Sequence, residues 1–437
     1  MDAGKLMSFE DQNPNESAKA SDQTIGRRRF LQGAAATATA AAPIGLNVLA
    51  GAAAWTLHHH RPPGTVSELF PSTNEHVKDA QFWHPTCAGV QCTLCPFDCF
   101  LPVGARGKCK VRMNVGGRLV TLVYGHPVAV HLDPIEKKPV YHLLPGSRIY
   151  SLATVGCNLK CTFCQNWEIS QTYPEQATGE TVVPKSLEIF RDGYGGLRGR
   201  VQHEQAKVLS PAEIVEAAQR TRCQSVAYTY SEPTIFYEYL LETAKLAKAR
   251  GLRNVMVSCG YINPEPLRQM APYFDVIKID LKGFDESFYR RVVGGELKFV
   301  LRTLVELKKL GVMTEIVNLI VPTLNDNPKT IRSMCEWIME NLGPDVPMFF
   351  SRFSPNYQMQ NIPSTPLEAL EEARNTAMEI GLHYVYTGNV PGHPGGNTYC
   401  PTCKRVLIRR HGYAQPEILF NLDKCPYDGT KIPGVWH

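Results

Sequence analysis

A strong charge of either sign is missing from this chain: 46 lysines and arginines against 41 aspartates and glutamates leave a formal net charge of +5 over 437 residues. That balance excludes the electrostatic footprint of a nucleic-acid-binding protein, and no region interleaves basic residues with aromatics as a base-stacking platform would. The most compact basic segment, residues 191–200, is broken by glycines and reads as a solvated loop. A convincing membrane span is missing too. The alanine-rich stretch 33–55 is interrupted by Pro43, which makes it a poor permanent membrane helix. With 43% hydrophobic and 20% charged residues the chain is neither disordered nor fibrous. Its length allows two or three modules around one large α/β core. Disulfide-like spacing is also absent: the 14 cysteines bunch at 87–109, 157–164 and 400–425, and short spacing favours metal. Cys223, Cys259 and Cys335 stand apart in apolar or helical surroundings, where a small buried hydrophobe is expected.

What is present begins with an address. Residues 1–24 are polar, and Gly26-Arg-Arg-Arg-Phe-Leu31 then precedes the alanine-rich stretch, a pattern that looks like a twin-arginine export signal with a small-residue cleavage point at Ala52 to Ala54. The expectation is a chain exported or membrane-attached through residues 1–55, touching a membrane only there; a cytoplasmic chain is the alternative.

The chemistry is concentrated in Gly156-Cys-Asn-Leu-Lys-Cys-Thr-Phe-Cys-Gln-Asn-Trp167. Cys157, Cys161 and Cys164 can hold three irons of a cubane cluster and leave the fourth open to a small molecule. A structural zinc site would usually take four protein ligands. Upstream, Cys92, Cys95, Cys99 and Cys109 fall within eighteen positions, enough for a zinc ion or a second cluster, with Cys87 spare. Downstream, Cys400, Cys403 and Cys425 look like a zinc ribbon whose last cysteine is replaced by Asp428.

From residue 149 onward, β-rich runs at 149–155, 225–230, 254–259, 276–280, 314–321, 347–352 and 384–387 alternate with amphipathic segments such as 211–220, 235–250 and 301–310. That alternation predicts parallel strands with crossover helices, with Gly251 and Gly311 as C-caps. Segment 172–206 reads as a charged, glycine-rich surface excursion, or a lid. Working residues belong at the carboxyl ends of such strands. Those ends carry Glu232, Gly260 and, on one face by alternation, Lys278, Asp280 and Lys282. The three charged residues either pair with one another or address a charged ligand. Glu232 is alternatively a helix-start acid, with Ser231 as cap and Pro233 at N1. Asn325 and Asp326 are expected to cap the following helix.

Five separated runs carry a family resemblance: Cys-Thr-Leu-Cys-Pro, Asp-Pro-Ile-Glu-Lys-Lys-Pro, the Cys157–Cys164 motif continuing to Ser170, Ala-Tyr-Thr-Tyr-Ser-Glu-Pro-Thr, and the final Ile-Pro-Gly-Val-Trp436. Over residues 82–437 the chain resembles radical S-adenosylmethionine (SAM) enzymes of the AmmeMemoRadiSam group, related to pyruvate formate-lyase-activating enzyme. The resemblance implies a partial (β/α)6 TIM-like barrel at 148–395, between an N-terminal Cys-rich module at 82–147 and a zinc-ribbon-like tail at 396–437. It implies a [4Fe-4S] cluster on Cys157, Cys161 and Cys164, and SAM contacts from Phe163, Glu232, Gly260, Asp280 and Lys282. It also implies cleavage of SAM to a 5′-deoxyadenosyl radical, a reductant such as flavodoxin or ferredoxin, and hydrogen abstraction from a substrate that could be a glycyl residue of a partner protein. The sequence departs from the group at Cys259, where asparagine is usual, at Phe349, near an expected histidine, and at Asp428. A non-catalytic, exported iron-sulfur electron carrier or metal-binding assembly protein accounts for the cysteines and the signal, but not for polar strand ends on a β/α pattern.

Overall fold

The structure is a computed structural model that describes residues 77–436, apart from 178–179, 192–196, 207 and 421–422, and apart from the side chains of 189–191 and 197–200. Of the two compact units of the chain, Met1–His59 lies outside the described residues, and the twin-arginine segment with it. Everything below concerns the second unit.

All seven β-rich runs form parallel strands. We label the main sheet β1 (Ala129–Pro134), β2 (Arg148–Ala153), β3 (Ser225–Tyr228), β4 (Arg253–Ser258), β5 (Val276–Asp280), β6 (Met313–Ile320), β7 (Met348–Arg352) and β8 (Val385–Gly388). They hydrogen-bond in strict sequence order, β1 antiparallel to β2 and the rest parallel. Helices α1 (Pro211–Arg220), α2 (Tyr237–Ala249), α3 (Pro264–Met270), α4 (Leu297–Lys309), α5 (Pro328–Leu342) and α6 (Leu367–Ile380) supply the crossovers, so six strand–helix units are followed by a seventh parallel strand. The parallel strands are almost wholly buried, as five of six positions in β2 and all four in β3 and β8 show, because crossovers cover such sheets. Each helix starts where its sequence dictates. Ser210 accepts from the Glu213 amide, the Glu213 carboxylate accepts from the Ser210 amide, and Pro211 occupies N1, so α1 cannot extend backwards. Gly251 and Gly311 take φ of +77° and +68° just past α2 and α4, as expected of helix-ending glycines.

β1 was not legible as a strand, and it supplies one edge of the sheet. The excursion at 172–206 is a β-hairpin, Thr181–Arg191 against Leu197–Ala206. It is moored by the Tyr150 hydroxyl donating to Pro184 O at 2.9 Å and by Thr181 Oγ1 donating to Pro127 O at 2.8 Å. None of its described residues lines the cavity described below.

The residues before the main sheet form two three-stranded antiparallel sheets, one from Trp83–Thr86, Gly89–Cys92 and Cys99–Leu101, the other from Lys78–Asp79, Arg118–Thr121 and Arg112–Val115. They are fastened to α2 by a fully buried ion pair between Arg112 and Glu238. Removing one partner would strand the other charge, a loss of about 3–5 kcal/mol. The tail forms a third such sheet, Thr398–Tyr399, Val406–Arg409 and Glu417–Ile418. Its Cys400, Leu407, Cys425 and Trp436 share an apolar cluster with Tyr141, Phe349 and Tyr386.

Candidate active site

The loop after β2 is held from three sides. Gly156 turns the chain at φ +99°, and a β-carbon there would lie 2.6 Å from Val111 Cγ1 and 2.8 Å from Cys109 O, so no side chain fits. The Lys160 and Thr162 amides donate to Val293 O and Val292 O at 2.9 and 3.0 Å, and Asn158 Nδ2 donates to Tyr261 O at 2.8 Å. Phe163, 3% exposed, stacks on Phe288 with centroids 6.3 Å apart. Cys157, Cys161 and Cys164 thereby face one cavity of about 370 Å³, whose wall also includes Phe163, Glu232, Asp280 and Lys282. That volume falls in the roughly 300–1,000 Å³ range of small-molecule sites. Burial pushes the Cys161 thiol up to about 12 against the pull of Lys282, and burial, then Glu232 and Cys161, raise Cys157 well above its ordinary value. Neutral thiols are therefore favoured until a metal displaces the protons. Three soft donors opening on a cavity, beside a lysine that favours thiolate, are a donor set that fits iron and sulfide.

The strand ends supply the rest of the wall. Glu232, 2% exposed, is itself the cap of the turn Pro233–Phe236, accepting from Thr234 N at 3.0 Å. The structure thus moves the cap from Ser231 to Glu232. The same carboxylate accepts from Ser258 Oγ at 2.7 Å and Cys259 N at 2.8 Å. Three bonds against roughly four acceptor positions leave room for one further donor. Lys278, Asp280 and Lys282 do share one face and do pair with each other: Asp280 is ion-paired to Lys278 and, at 2.7 Å, to Lys282, while all three line the cavity. Burial raises the Asp280 carboxyl, but the two lysines outweigh it and hold it well below the usual range. Burial lowers the Lys278 ammonium; for Lys282, Asp280 and Cys161 overcome burial and raise it.

Other expected residues fall elsewhere. Gly260 is not among the lining residues; the space beside its α-carbon is taken by Ile279 and Val300, 3.2 and 3.3 Å from a β-carbon position. The cap of α5 is Asn327, which accepts from Lys329 N at 2.9 Å, rather than Asn325 or Asp326. Asn325 instead ties the loop after β6 to Lys282 O at 2.7 Å. Phe349 is fully buried against Tyr141 and Tyr386, and Cys259 donates from its thiol to Asn158 Oδ1 at 3.7 Å while also lining the cavity. Sequence reasoning missed a second charged cluster on the wall. Asp133 pairs with Lys138 at 2.6 Å and Lys137 at 2.9 Å and accepts from the Tyr230 hydroxyl, and Lys138 lies 4.0 Å over the Tyr230 ring. The Asp-Pro-Ile-Glu-Lys-Lys-Pro run was the available signal. Burial pulls Lys138 down to about 8 despite Asp133.

The tail carries a Cys3Asp metal-binding group. Cys403 and Cys425 sulfurs are 3.6 Å apart, Cys400 Sγ lies 3.3 Å from Asp428 Oδ2, and all four ligand atoms fall within 4.8 Å of one another. The replaced cysteine has not cost the tail its ligand geometry.

Comparison with known proteins places this geometry. The family model described as Radical SAM superfamily matches residues 151–338. An uncharacterized protein of Methanocaldococcus jannaschii is 41% identical over 347 residues, which span 78% of this chain and 95% of that protein. The pyruvate formate-lyase-activating enzyme of Clostridium pasteurianum is 23% identical over 192 residues, 43% of this chain and 67% of its own length. Among solved structures, a domain of pyruvate-formate lyase-activating enzyme from Bacteroides vulgatus aligns with a TM-score of 0.34 and 16% identity, over 38% of this chain and 99% of that one.

Proposed function

The chain belongs to the radical SAM superfamily and is related to glycyl-radical activating enzymes; from that premise we propose that Cys157, Cys161 and Cys164 hold a [4Fe-4S] cluster, that the adjoining cavity binds S-adenosylmethionine, and that the enzyme abstracts hydrogen from a substrate. The observation that carries this reading is the convergence of three thiols, the Glu232 carboxylate and the Asp280–Lys282 pair on one cavity. When bound, the cluster and SAM supply one-electron cleavage of the sulfonium to methionine and a 5′-deoxyadenosyl radical. The chain's own residues orient the reactants and exclude water. Glu232 has an acceptor position for an ammonium group. Lys282 offers a cation to a carboxylate, held in place by Asp280, and Phe163 keeps the cysteine loop packed on Phe288.

The relationship to activating enzymes points to a glycyl residue of a partner protein as the hydrogen donor, with a flavodoxin or ferredoxin as reductant. The tail group suits zinc, which accepts three thiolates and one carboxylate. Export through residues 27–31 is part of the same proposal: the twin-arginine route carries folded chains, which would let a cluster be inserted first. Anaerobic reconstitution followed by dithionite and SAM is expected to yield 5′-deoxyadenosine. A loaded cluster that yields none, in a protein whose calorimetry shows no SAM binding, would instead support the electron carrier.

A further inference from the structure

We infer that Cys92, Cys95, Cys99 and Cys109 hold a second [4Fe-4S] cluster, fully ligated by protein and outside the SAM cavity. The chain brings these thiols together by ordinary β geometry. Cys92 and Cys99 are directly opposed partners on adjacent antiparallel strands. Cys95 sits in the turn between them, closed by the Asp98 amide donating to Cys95 O at 3.0 Å. Cys109 arrives from the next loop, and its sulfur and that of Cys99 both flank Gly107, 3.5 and 3.9 Å from where a β-carbon on that residue would stand. Although Cys92 and Cys99 face each other, all four remain free thiols.

What surrounds the sulfurs suits an anionic centre. Arg112 Nη1 approaches Cys92 Sγ at 3.6 Å, and the buried Arg112 Nε has no partner, so its ion pair with Glu238 leaves guanidinium capacity unused. Hydrogen bonds to cluster sulfurs are a usual means of holding and tuning such centres.

The span of the group separates a cluster from a single ion. Tetrahedral zinc at a Zn–S distance of about 2.3 Å holds sulfurs about 3.8 Å apart. The tail group meets that requirement, its ligand atoms all within 4.8 Å. Among the described residues, so tight a gathering of ligand atoms marks the tail group. A cubane spreads its thiolates over four irons and asks for the wider arrangement. None of the four quartet residues lines the SAM cavity, and four protein ligands leave no open iron, so the centre suits electron transfer and not substrate binding. It backs onto the active-site loop, because Val111 Cγ1 and Cys109 O are the atoms that a β-carbon on Gly156 would strike, at 2.6 and 2.8 Å. A protein donor of the flavodoxin or ferredoxin class would lose one electron as this cluster passes from its 2+ to its 1+ state, with no bond made or broken.

The test uses the full chain carrying Cys157→Ala, Cys161→Ala and Cys164→Ala, reconstituted anaerobically with iron and sulfide. It should retain roughly four irons and four acid-labile sulfides per chain, with a paramagnetic signal after dithionite that does not respond to SAM. Adding Cys95→Ala and Cys109→Ala should remove both. A folded triple variant devoid of labile sulfide, whether it holds zinc in the quartet or no metal there, overturns the inference. Should the triple variant not fold, the native chain decides: roughly eight labile sulfides support the second cluster and roughly four overturn it. Failure of the SAM reading would look different, as absent 5′-deoxyadenosine from a chain whose quartet sulfide is intact.

Discussion

The N-terminal quartet and the tail quartet are built alike, each from short antiparallel strands and a turn that returns late ligands to early ones, yet they differ in donor and company. The tail gathers three sulfurs and the Asp428 oxygen within 4.8 Å, in an apolar cluster with Phe349, Tyr386 and Trp436. The N-terminal group is all sulfur, with Arg112 Nη1 3.6 Å from Cys92 Sγ, and is set against the turn before Cys157. Cysteine spacing alone made them look interchangeable. The difference teaches that donor type and neighbouring groups distinguish two cysteine sets that spacing makes look alike; on the proposal above, one staples the fold and the other carries electrons.

The sharpest way to break that contrast is to damage the active-site loop. Cys161→Ala is expected to abolish 5′-deoxyadenosine formation while leaving labile sulfide in the quartet and zinc in the tail; parallel loss of all three metals would show the regions to be one cooperative unit. Next in size is the tail. Cys403→Ser with Cys425→Ser should remove its zinc and destabilise the protein by on the order of 3 kcal/mol, read as a fall of several degrees in Tm, with labile sulfide unchanged. A redox-active tail would instead lose iron. Smaller again, Lys282→Met should weaken SAM binding about tenfold in calorimetry, roughly 1.4 kcal/mol, because Asp280 keeps Lys278 and the fold survives. Unchanged affinity would make Lys282 a partner of Asp280 alone.

The smallest net effect in the native chain lies where the tail meets the sheet, because two opposed pH dependences largely cancel there. Burial holds His142 down at about 4 from 6.5, so its contribution to stability is full above about pH 6.5 and lost as pH falls toward 4. Burial raises Glu315 to about 7 from 4.5 against the amides of Tyr141 and His142, so its contribution is full below about pH 4.5 and lost as pH rises to 7. The two slopes oppose each other between about pH 4.5 and 6.5. Glu315→Gln should expose the loss toward acid and His142→Phe the loss toward neutrality, each at most about 3 kcal/mol by denaturant titration. Identical flat profiles in both variants would refute the assignment.

Much of the scaffold was readable because buried parallel strands are continuous apolar runs, and all seven lie within two residues of their expected limits. The strands that escaped reading obey a different rule. β1 carries His131 and Asp133 and owes its place to pairing with β2, and the hairpin at 181–206 owes its strands to pairing with each other, in a sequence charged and glycine-rich enough to read as a loop. At the site, the cysteine triplet and the Lys278, Asp280 and Lys282 face were legible from spacing and alternation. Glu232 was legible as a carboxylate at a strand end, but not as the acceptor joining β3 to β4, since that bond depends on Ser258 and Cys259 arriving from another unit. For Gly260 the sequence shows only that a side chain is missing, and packing adds that Ile279 and Val300 lie 3.2 and 3.3 Å from where its β-carbon would stand.

One measurement bears most directly on the central claim, that three sulfur ligands leave an iron open beside the cavity. It is the electron paramagnetic resonance spectrum of the anaerobically reduced chain carrying Cys95→Ala and Cys99→Ala, recorded with and without SAM. The account predicts a signal from the Cys157, Cys161 and Cys164 cluster that changes when SAM is added. A reduced cluster whose spectrum is identical in both samples would contradict it.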